Sequence, residues 1–370
     1  MRLAARLEGL GTSPIRAMHA GAPAGAVPLG LGEPTWELPP CARAALAELD
    51  GSCGYGPNAG LPELVGALAS FYGAAPEEVL VSSGSQGALF ALFQAWLGPG
   101  DELLVPDPGF LAYPALARLA GASCVAYRLG PGGGLDPAAF RAALDASPAA
   151  KAAVINFPSN PTGGGASLAA LREVAAACEE RGVLLVSDEV YRELYLGPRP
   201  PSLRDASGYG LVLSSASKGW GGPGLRVGWA IGDPELLAPA RLVHAAMVSC
   251  PARPSQLAAL ALVEASAEVL PAARAELRAR WEALAGALRS ELGVEAELPA
   301  GAFYYWLPLP ALEAEGAAFC LRLRDEARVI LVPGSAFGRA GARFARLSYA
   351  ARPEEIAEGV RRLAPLWRRA

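Results

Sequence analysis

Lysine and histidine are scarce in this sequence. Of 32 lysine and arginine residues only Lys151 and Lys218 are lysine, and the two histidines are His19 and His244. So few histidines leave little room for histidine-based catalysis. Arginine evidently serves wherever a surface cation suffices, whereas a primary amine can deprotonate and form an imine. Both lysines are therefore candidates for covalent chemistry.

The composition also argues against a metal site, a disulfide framework, nucleic-acid binding and a signal peptide. The six cysteines are scattered without a Cys-x-x-Cys pair, so we expect neither a metal site nor a disulfide framework, and we expect a reducing, cytoplasmic compartment. A formal net charge of −4 gives no basic footprint for nucleic acid. The segment Met1–Leu10 lacks the apolar core of a signal peptide.

One uncharged stretch, Val79–Gly100, is long enough to cross a bilayer. A polar cluster, Ser82–Gly87, interrupts it near its start and indicates a turn between two buried elements. We therefore expect no membrane span.

From about residue 60, short apolar runs alternate with helical patterns. The predicted buried strands are Glu78–Ser82, Leu103–Pro106, Cys124–Leu129, Ala153–Phe157, Val183–Ser187, Leu211–Ser214 and Arg226–Ile231. The predicted helices are Leu61–Phe71, Gln86–Leu97, Tyr113–Ala120, Pro137–Ala146 and Ser167–Glu180. Apolar strands with helices between them predict an α/β fold with a mostly parallel sheet, covered by helices on both faces.

The pattern changes after about residue 265. A long helix (Pro271–Leu292) precedes a strand (Ala302–Leu307), a helix (Ala317–Arg328), a strand (Arg343–Tyr349) and a terminal helix from Pro353. This order predicts a smaller α+β domain. We therefore predict a large domain over residues 41–284 and a small domain formed by residues 1–40 and 285–370.

Lys218 lies in the most informative segment of the chain. It follows an apolar strand and precedes a glycine-rich turn, so its amine is expected to be partly desolvated, which lowers a lysine pKa and favours nucleophilic attack. The dinucleotide-binding pattern Gly219-x-Gly221-x-x-Gly224 leads into a strand rather than the required helix. Ser215-x-x-Lys218 matches penicillin-recognising serine hydrolases, but neither lysine is followed by Thr-Gly. Both alternatives fail on context.

Further motifs follow in order along the chain. They are Leu-Gly-Glu-Pro-Thr at 31–35, Tyr-Gly-Pro-Asn-Ala-Gly at 55–60, Val-Ser-Ser-Gly-Ser-Gln-Gly at 81–87, Asp-Pro-Gly-Phe at 107–110, Asn-Pro-Thr-Gly at 160–163, Ser-Asp-Glu-Val-Tyr at 187–191 and Arg-Phe-Ala-Arg-Leu-Ser-Tyr at 343–349. With the Lys218 segment, this arrangement resembles the fold-type I class I/II aminotransferases of the aspartate aminotransferase superfamily. The resemblance implies pyridoxal 5'-phosphate (PLP), held by Lys218 as a Schiff base.

The resemblance also assigns the phosphate of PLP to one set of residues. The positions that match the family's phosphate contacts are Gly84, Ser85, Gln86, Ser215 and Arg226. N–H groups at a helix start favour an anion there. Tyr55 matches a tyrosine that reaches the phosphate from the neighbouring subunit, which implies a homodimer.

The ring of PLP would meet a second set. Asp188 ends a very apolar strand, where a carboxylate is costly unless it meets a cation; the resemblance identifies that cation as the ring nitrogen. Phe110 matches the aromatic residue that stacks on the ring. Asn160 and Tyr191 match the groups that bond its phenolic oxygen. Arg346 matches the arginine that holds the substrate α-carboxylate, with Gly32 as a backbone contact and Asn160 beside it.

The implied activity is ping-pong transamination, in which an L-amino acid donates its amino group to a 2-oxo acid and Lys218 carries the proton. An aspartate-like or N-succinyl-diaminopimelate-like donor is expected, although Gln86 stands where prokaryotic aspartate enzymes often carry a lysine; alanine, aromatic or broad specificity stays open. A PLP-dependent carbon–sulfur β-lyase of the same fold is the alternative. A transcription regulator with an aminotransferase-like domain would need a DNA-binding extension, and about thirty residues precede Gly32.

Overall fold

The computed structural model describes residues 4–49, 53–310 and 316–369. Its larger sheet has seven strands in the order β1-β7-β6-β5-β4-β2-β3. These are β1 (Val79–Ser82), β2 (Glu102–Asp107), β3 (Ser123–Arg128), β4 (Ala150–Asn156), β5 (Leu184–Asp188), β6 (Leu211–Ser215) and β7 (Gly228–Gly232). Strand β7 pairs antiparallel with β1 and β6, and the other neighbouring strands are parallel. The predicted mostly parallel sheet is confirmed.

Thirteen α-helices lie in the described ranges. They are α1 (Pro14–His19), α2 (Pro40–Ala47), α3 (Pro62–Tyr72), α4 (Gly84–Trp96), α5 (Ala112–Leu119), α6 (Pro137–Asp145), α7 (Leu168–Glu180), α8 (Leu203–Ala206), α9 (Pro234–Val248), α10 (Arg253–Glu264), α11 (Ser266–Ala287), α12 (Gly316–Asp325) and α13 (Pro353–Trp367). A final π-helical turn, Leu288–Leu292, extends α11.

The central strands are apolar along their length because both faces of the sheet are covered. Alternate residues face opposite cores, as the two-residue period of a strand requires. Ile155 and Val212 pack in a core with helices α3, α7 and α10, whereas Val154 and Leu213 pack in a second core with α4, α5 and α9. The α/β prediction with helices on both faces is therefore confirmed.

A smaller antiparallel sheet has the order β8-β10-β9, with β8 (Tyr304–Pro308), β9 (Val332–Pro333) and β10 (Phe344–Ser348). A third core joins it to α12 and to the apolar face of α13, where Ile356, Val360 and Leu363 recur at helical spacing. Helix α11 serves two cores, since Leu270 packs with the large sheet and Leu277 with the small one. The domain limits remain a prediction.

Three sequence predictions need correction. Strand β3 is not buried: only Tyr127 is fully covered, because β3 lies at the edge of the sheet. Arg226 does not begin a strand; its φ of 55° is left-handed, and β7 starts at Gly228. Helices α9 and α10 are not among the predicted helices; Pro234 and Pro254 occupy first-turn positions that tolerate proline, whereas Pro239 lies inside α9.

All six cysteines lie within the described ranges and are free. In those same ranges no single helix is both long and apolar enough to cross a membrane. One helix pair, Arg253–Glu264 with Ser266–Leu292, passes by length and composition when taken together, although it is bent by 85°.

Candidate active site

A cavity of about 540 Å³ opens where three parallel strands end. Asn156, Asp188 and Ser215 are the last residues of β4, β5 and β6, and all three line it. In α/β sheets the carboxyl ends of the strands leave a crevice in which ligands bind. The fold therefore directs these polar side chains to one place.

Lys218 enters the cavity three residues after β6. Its Nζ donates a hydrogen bond to the backbone oxygen of Gly32 at 2.6 Å. Burial, and after it the positive charge of Arg346, lowers the pKa of Lys218 from 10.5 to about 8. A substantial fraction of this amine is consequently neutral near physiological pH, as a nucleophile or base requires.

Asp188 provides a buried carboxylate, only 4% exposed. Its Oδ2 accepts a hydrogen bond from the Tyr113 hydroxyl at 2.8 Å, and Nδ2 of Asn156 donates to its backbone oxygen at 2.8 Å. Burial raises the pKa of Asp188 to about 6, although the Tyr113 bond acts in the opposite direction. Within the described ranges it has no ion-pair partner, so the site favours a cation beside this carboxylate.

Arg346 lies on β10 and is 1% exposed. Nη1 donates to Oδ1 of Asn160 at 2.8 Å and Nη2 to the backbone oxygen of Gly30 at 2.7 Å. Its guanidinium stacks over the rings of Tyr304 and Phe337, at 4.4 and 4.8 Å from the centroids. Nε has no hydrogen-bond partner among the described residues. A buried, oriented arginine with donor capacity to spare suits a carboxylate.

A second anion-binding region lies at the start of α4. Ser85, Ser215, Ser217 and Arg226 line this end of the cavity. Nη1 of Arg226 is oriented by the backbone oxygen of Pro223 at 2.8 Å. Gly84 has a φ of +75°, which favours glycine, and a Cβ there would lie 2.5 Å from Nη2 of Arg226.

Two predicted residues do not line the cavity. Gly84, predicted to act through its backbone, lies against Arg226, and Tyr55, predicted to act from the neighbouring subunit, is 94% exposed. Phe110 is half-buried in the wall, with its ring edge-on to Tyr113 at 5.6 Å. The cavity unites the other predicted residues: Gly32, Ser85, Gln86, Phe110, Asn160, Asp188, Tyr191, Ser215, Lys218, Arg226 and Arg346.

Three polar contributors were not assigned from the sequence. Tyr113 bonds Asp188, Asn156 holds the end of β5, and the hydroxyls of Tyr304 and Tyr191 lie 2.8 Å apart. Tyr113 begins the predicted helix Tyr113–Ala120 and Tyr304 lies in the predicted strand Ala302–Leu307, but the sequence does not indicate their partners. The cavity thus brings together the guanidinium groups of Arg346 and Arg226, the carboxylate of Asp188 and the amine of Lys218.

Comparisons with known proteins agree with one another. The family model described as aminotransferase class I and II matches residues 24–363. The aspartate/prephenate aminotransferase of Thermus thermophilus is 36% identical over 358 residues, which cover 93% of this chain and 91% of that protein. Two solved structures superpose with a TM-score of 0.91 and cover 99% of this chain and 100% of theirs. They are Thermus thermophilus aspartate aminotransferase with maleate, at 33% identity, and Mycobacterium tuberculosis N-succinyldiaminopimelate aminotransferase, at 30%.

Proposed function

The chain belongs to the class I and II aminotransferase family, and we propose that its cavity binds PLP and transfers the amino group of a dicarboxylic L-amino acid to a 2-oxo acid. Amino-group transfer follows from the family; the cofactor site, donor and residue roles are the proposal. These similarities give no support to the carbon–sulfur lyase alternative. One observation carries the proposal: the amine of Lys218 lies in one cavity with the carboxylate of Asp188 and the guanidinium of Arg346.

Members of this family use PLP, and the described residues fit that group. Its phosphate would meet Ser85, Ser215 and Arg226, where hydroxyls, a guanidinium and a helix start converge. Its cationic ring nitrogen would meet Asp188, whose buried carboxylate has no other ion-pair partner in the described part of the chain. Its aldehyde would meet Lys218. The charged and hydroxyl groups that line the cavity support this assignment.

When bound, PLP supplies an aldehyde that condenses with amines and a protonated ring that accepts electron density from the substrate Cα. Asp188 would keep the proton on the ring nitrogen. Asn160 and Tyr191 would donate to the phenolic oxygen. Lys218, with a pKa near 8, would remove and return protons as a general base and acid. Together these groups would support ping-pong transfer.

Arg346 would hold the donor's α-carboxylate. Its two Nη groups are already bonded to Asn160 and Gly30, so the guanidinium plane is fixed before substrate arrives. A fixed carboxylate orients the Cα–H bond for removal by Lys218. This preorganisation favours L-α-amino acids over amines that lack a carboxylate.

A second carboxylate on the donor is supported by Arg16. This exposed arginine lines the same cavity as Gln86, Arg346 and Arg226. Similar proteins are named for aspartate, prephenate and N-succinyldiaminopimelate, all of which carry a carboxylate remote from the reacting centre. Initial rates with aspartate and alanine as donors test this. Arg16→Ala should lower kcat/KM about tenfold for aspartate and little for alanine; an equal effect on both contradicts it.

A homodimer is supported by exposed apolar surface. Tyr55 is 94% exposed, and Leu242 of α9 is 75% exposed. In the proposed dimer Tyr55 reaches the phosphate of the partner's cofactor. Tyr55→Phe should weaken PLP affinity while light scattering still gives a dimer; a monomeric wild-type protein would contradict the arrangement. The cytoplasmic compartment stays a prediction.

The decisive experiment compares the two lysines. Lys218→Ala should abolish transamination and the visible absorbance change that accompanies PLP binding, because Lys218 is the only lysine among the described residues that line the cavity. Lys151→Ala is the matched control, since Lys151 is exposed at the start of β4. If Lys218→Ala transfers amino groups at the wild-type rate, the proposal is wrong.

A further inference from the structure

His244 lies on α9, which packs against α4. It is 0% exposed, and its Nε2 accepts a hydrogen bond from the backbone N–H of Ser83 at 3.3 Å. Its Nδ1 has no hydrogen-bond partner among the described residues. One of the two histidines of the chain is therefore buried at the entry to α4.

The hydrogen bond determines the state of this ring. Because Nε2 accepts, it carries no proton, and the single proton of the neutral imidazole is on Nδ1. Burial lowers the pKa of His244 and so favours the neutral form. A buried Nδ1–H without an acceptor is unfavourable, and a leucine of similar size would avoid it. The role of Nε2 as an acceptor gives a physical reason for a histidine here.

Ser83 occupies the turn between β1 and α4. The ladder between β1 and β7 ends with Ser82 opposite Gly228. Ser83 then has φ −74° and ψ 68°, and Gly84 has φ +75°. On the other side of the turn, Oγ of Ser82 donates to the backbone oxygen of Gly84 at 3.0 Å. Two side chains, Ser82 and His244, therefore fix this turn.

The same turn begins the phosphate end of the cavity. The first N–H groups of an α-helix have no acceptor within the helix, and its N-terminus favours an anion. His244 satisfies the N–H of Ser83, and those of Gly84, Ser85 and Gln86 follow it. If the acceptor were lost, the N–H of half-buried Ser83 would lose this hydrogen bond. The peptide would then be free to rotate, which would displace the N–H groups that follow.

We propose that His244 is a positioning residue for phosphate binding, because it holds the Ser83 peptide so that the first turn of α4 meets the phosphate of the cofactor. It touches neither cofactor nor substrate. The inference rests on the proposed PLP function and extends it to a residue of α9 that lies outside the cavity wall.

Pyridoxal, which lacks the phosphate, separates this role from general damage to the site. Dissociation constants of PLP and pyridoxal for the cofactor-free protein are measured by absorbance and by equilibrium dialysis. In His244→Leu, PLP affinity should fall about five- to tenfold while pyridoxal affinity is unchanged. His244→Gln, whose Oε1 can accept from Ser83, should stay within about twofold of wild type for both ligands.

Ser167→Ala provides the matched control. Oγ of Ser167 accepts from the backbone N–H of Ala170 at 3.1 Å at the start of α7, and α7 does not line the cavity. Ser167→Ala removes the same kind of hydrogen bond, from a backbone N–H to a side chain, and should leave the PLP-to-pyridoxal affinity ratio unchanged. If His244→Leu does not fold, His244→Asn, too short to reach Ser83, should give the same loss of ratio.

Two results would overturn the inference. One is a wild-type affinity ratio in both His244→Leu and His244→Asn. The other is an equal loss in His244→Gln, which would show that the acceptor is irrelevant. A wild-type protein that binds no PLP would instead refute the proposed function itself, so the two failures are distinguishable.

Discussion

The two ends of the cavity are built differently. The proposed phosphate end takes Ser85 after β1, Ser215 at the end of β6 and Arg226 just before β7, and these three strands are neighbours in one sheet. The proposed carboxylate end joins Arg346 of the small sheet to Asn160 of the loop after β4 and to Gly30 of the N-terminal segment. The proposed phosphate end therefore draws on neighbouring strands of one sheet, whereas the proposed carboxylate end joins a strand of the small sheet to a loop after β4 and to the N-terminal segment.

This difference suggests a division of labour. A cofactor site within one sheet can stay fixed through repeated turnovers, because the strands around it share hydrogen bonds and a core. A substrate site between two cores depends on their relative position, and small shifts change its geometry. Cofactor affinity and substrate affinity should therefore respond to different mutations.

The largest expected effect concerns the carboxylate end. Arg346→Lys removes the two oriented Nη bonds and should lower kcat/KM for the amino donor about 10²- to 10³-fold. PLP affinity should stay within about threefold of wild type, since the phosphate end is untouched. Arg343→Lys, an exposed arginine just before β10, is the control. If Arg346→Lys loses as much PLP affinity as it loses kcat/KM, cofactor affinity and substrate affinity are not independent.

The next effect concerns the protonation state of the Lys218 amine. Only the neutral amine of Lys218 attacks an aldehyde, so capture of PLP by the cofactor-free protein should rise about tenfold per pH unit and level off near pH 8. Between pH 6 and pH 8 the rise should be about fiftyfold, because half of the amine is already neutral at a pH equal to its pKa. Arg346→Leu removes a positive charge that lowers this pKa, so its profile should move to higher pH. Stopped-flow absorbance measures both profiles; a midpoint near 10.5 in the wild-type protein would contradict the lowered pKa.

A smaller effect is expected at the phosphate end. Ser215→Ala removes one hydroxyl from the anion site and should weaken PLP affinity about tenfold, measured by dialysis. The KM for the amino donor should not change once PLP is saturating. A higher KM for the amino donor at saturating PLP would contradict the proposed independence of cofactor affinity and substrate affinity.

The smallest effect is expected from Tyr113, which donates a hydrogen bond to Asp188. In Tyr113→Phe, Asp188 loses a hydrogen bond that favours its ionised form, so its pKa should rise above about 6. PLP binding requires the carboxylate, and therefore the acidic fall in PLP affinity should begin at a higher pH than in the wild-type protein. At pH 6.5 the expected loss is about threefold. Identical pH profiles would mean that Tyr113 only packs.

The residues that the sequence predicted share a property. Lys218, Asp188 and Arg346 each lie at the end of an apolar run or in it, where a charged side chain is costly without a function. Their motifs are also contiguous, so the resemblance could be read residue by residue. The seven-stranded sheet followed from the alternation of apolar runs and helical patterns for the same local reason.

The residues that the sequence did not predict depend on contacts between distant elements. Tyr113 and Tyr304 are aromatic residues in apolar elements and cannot be told from core residues by pattern. His244 acquires its partner only because α9 packs against the start of α4. The sequence of β3 predicts a buried strand. Its edge position follows from the strand order, which the residues of the strand itself do not encode.

Because lysine is scarce, this protein suits selective labelling with an amine-reactive reagent. Besides the α-amino group, an amine-selective reagent has two targets, and their environments are opposite: Lys151 is exposed on β4, while Lys218 is partly buried in the cavity. A bulky active ester should therefore attach at Lys151 and leave the cavity open. Once the α-amino group is blocked, the chain could be tethered to a surface in one orientation, or given one dye, without losing the amine on which its function is proposed to depend.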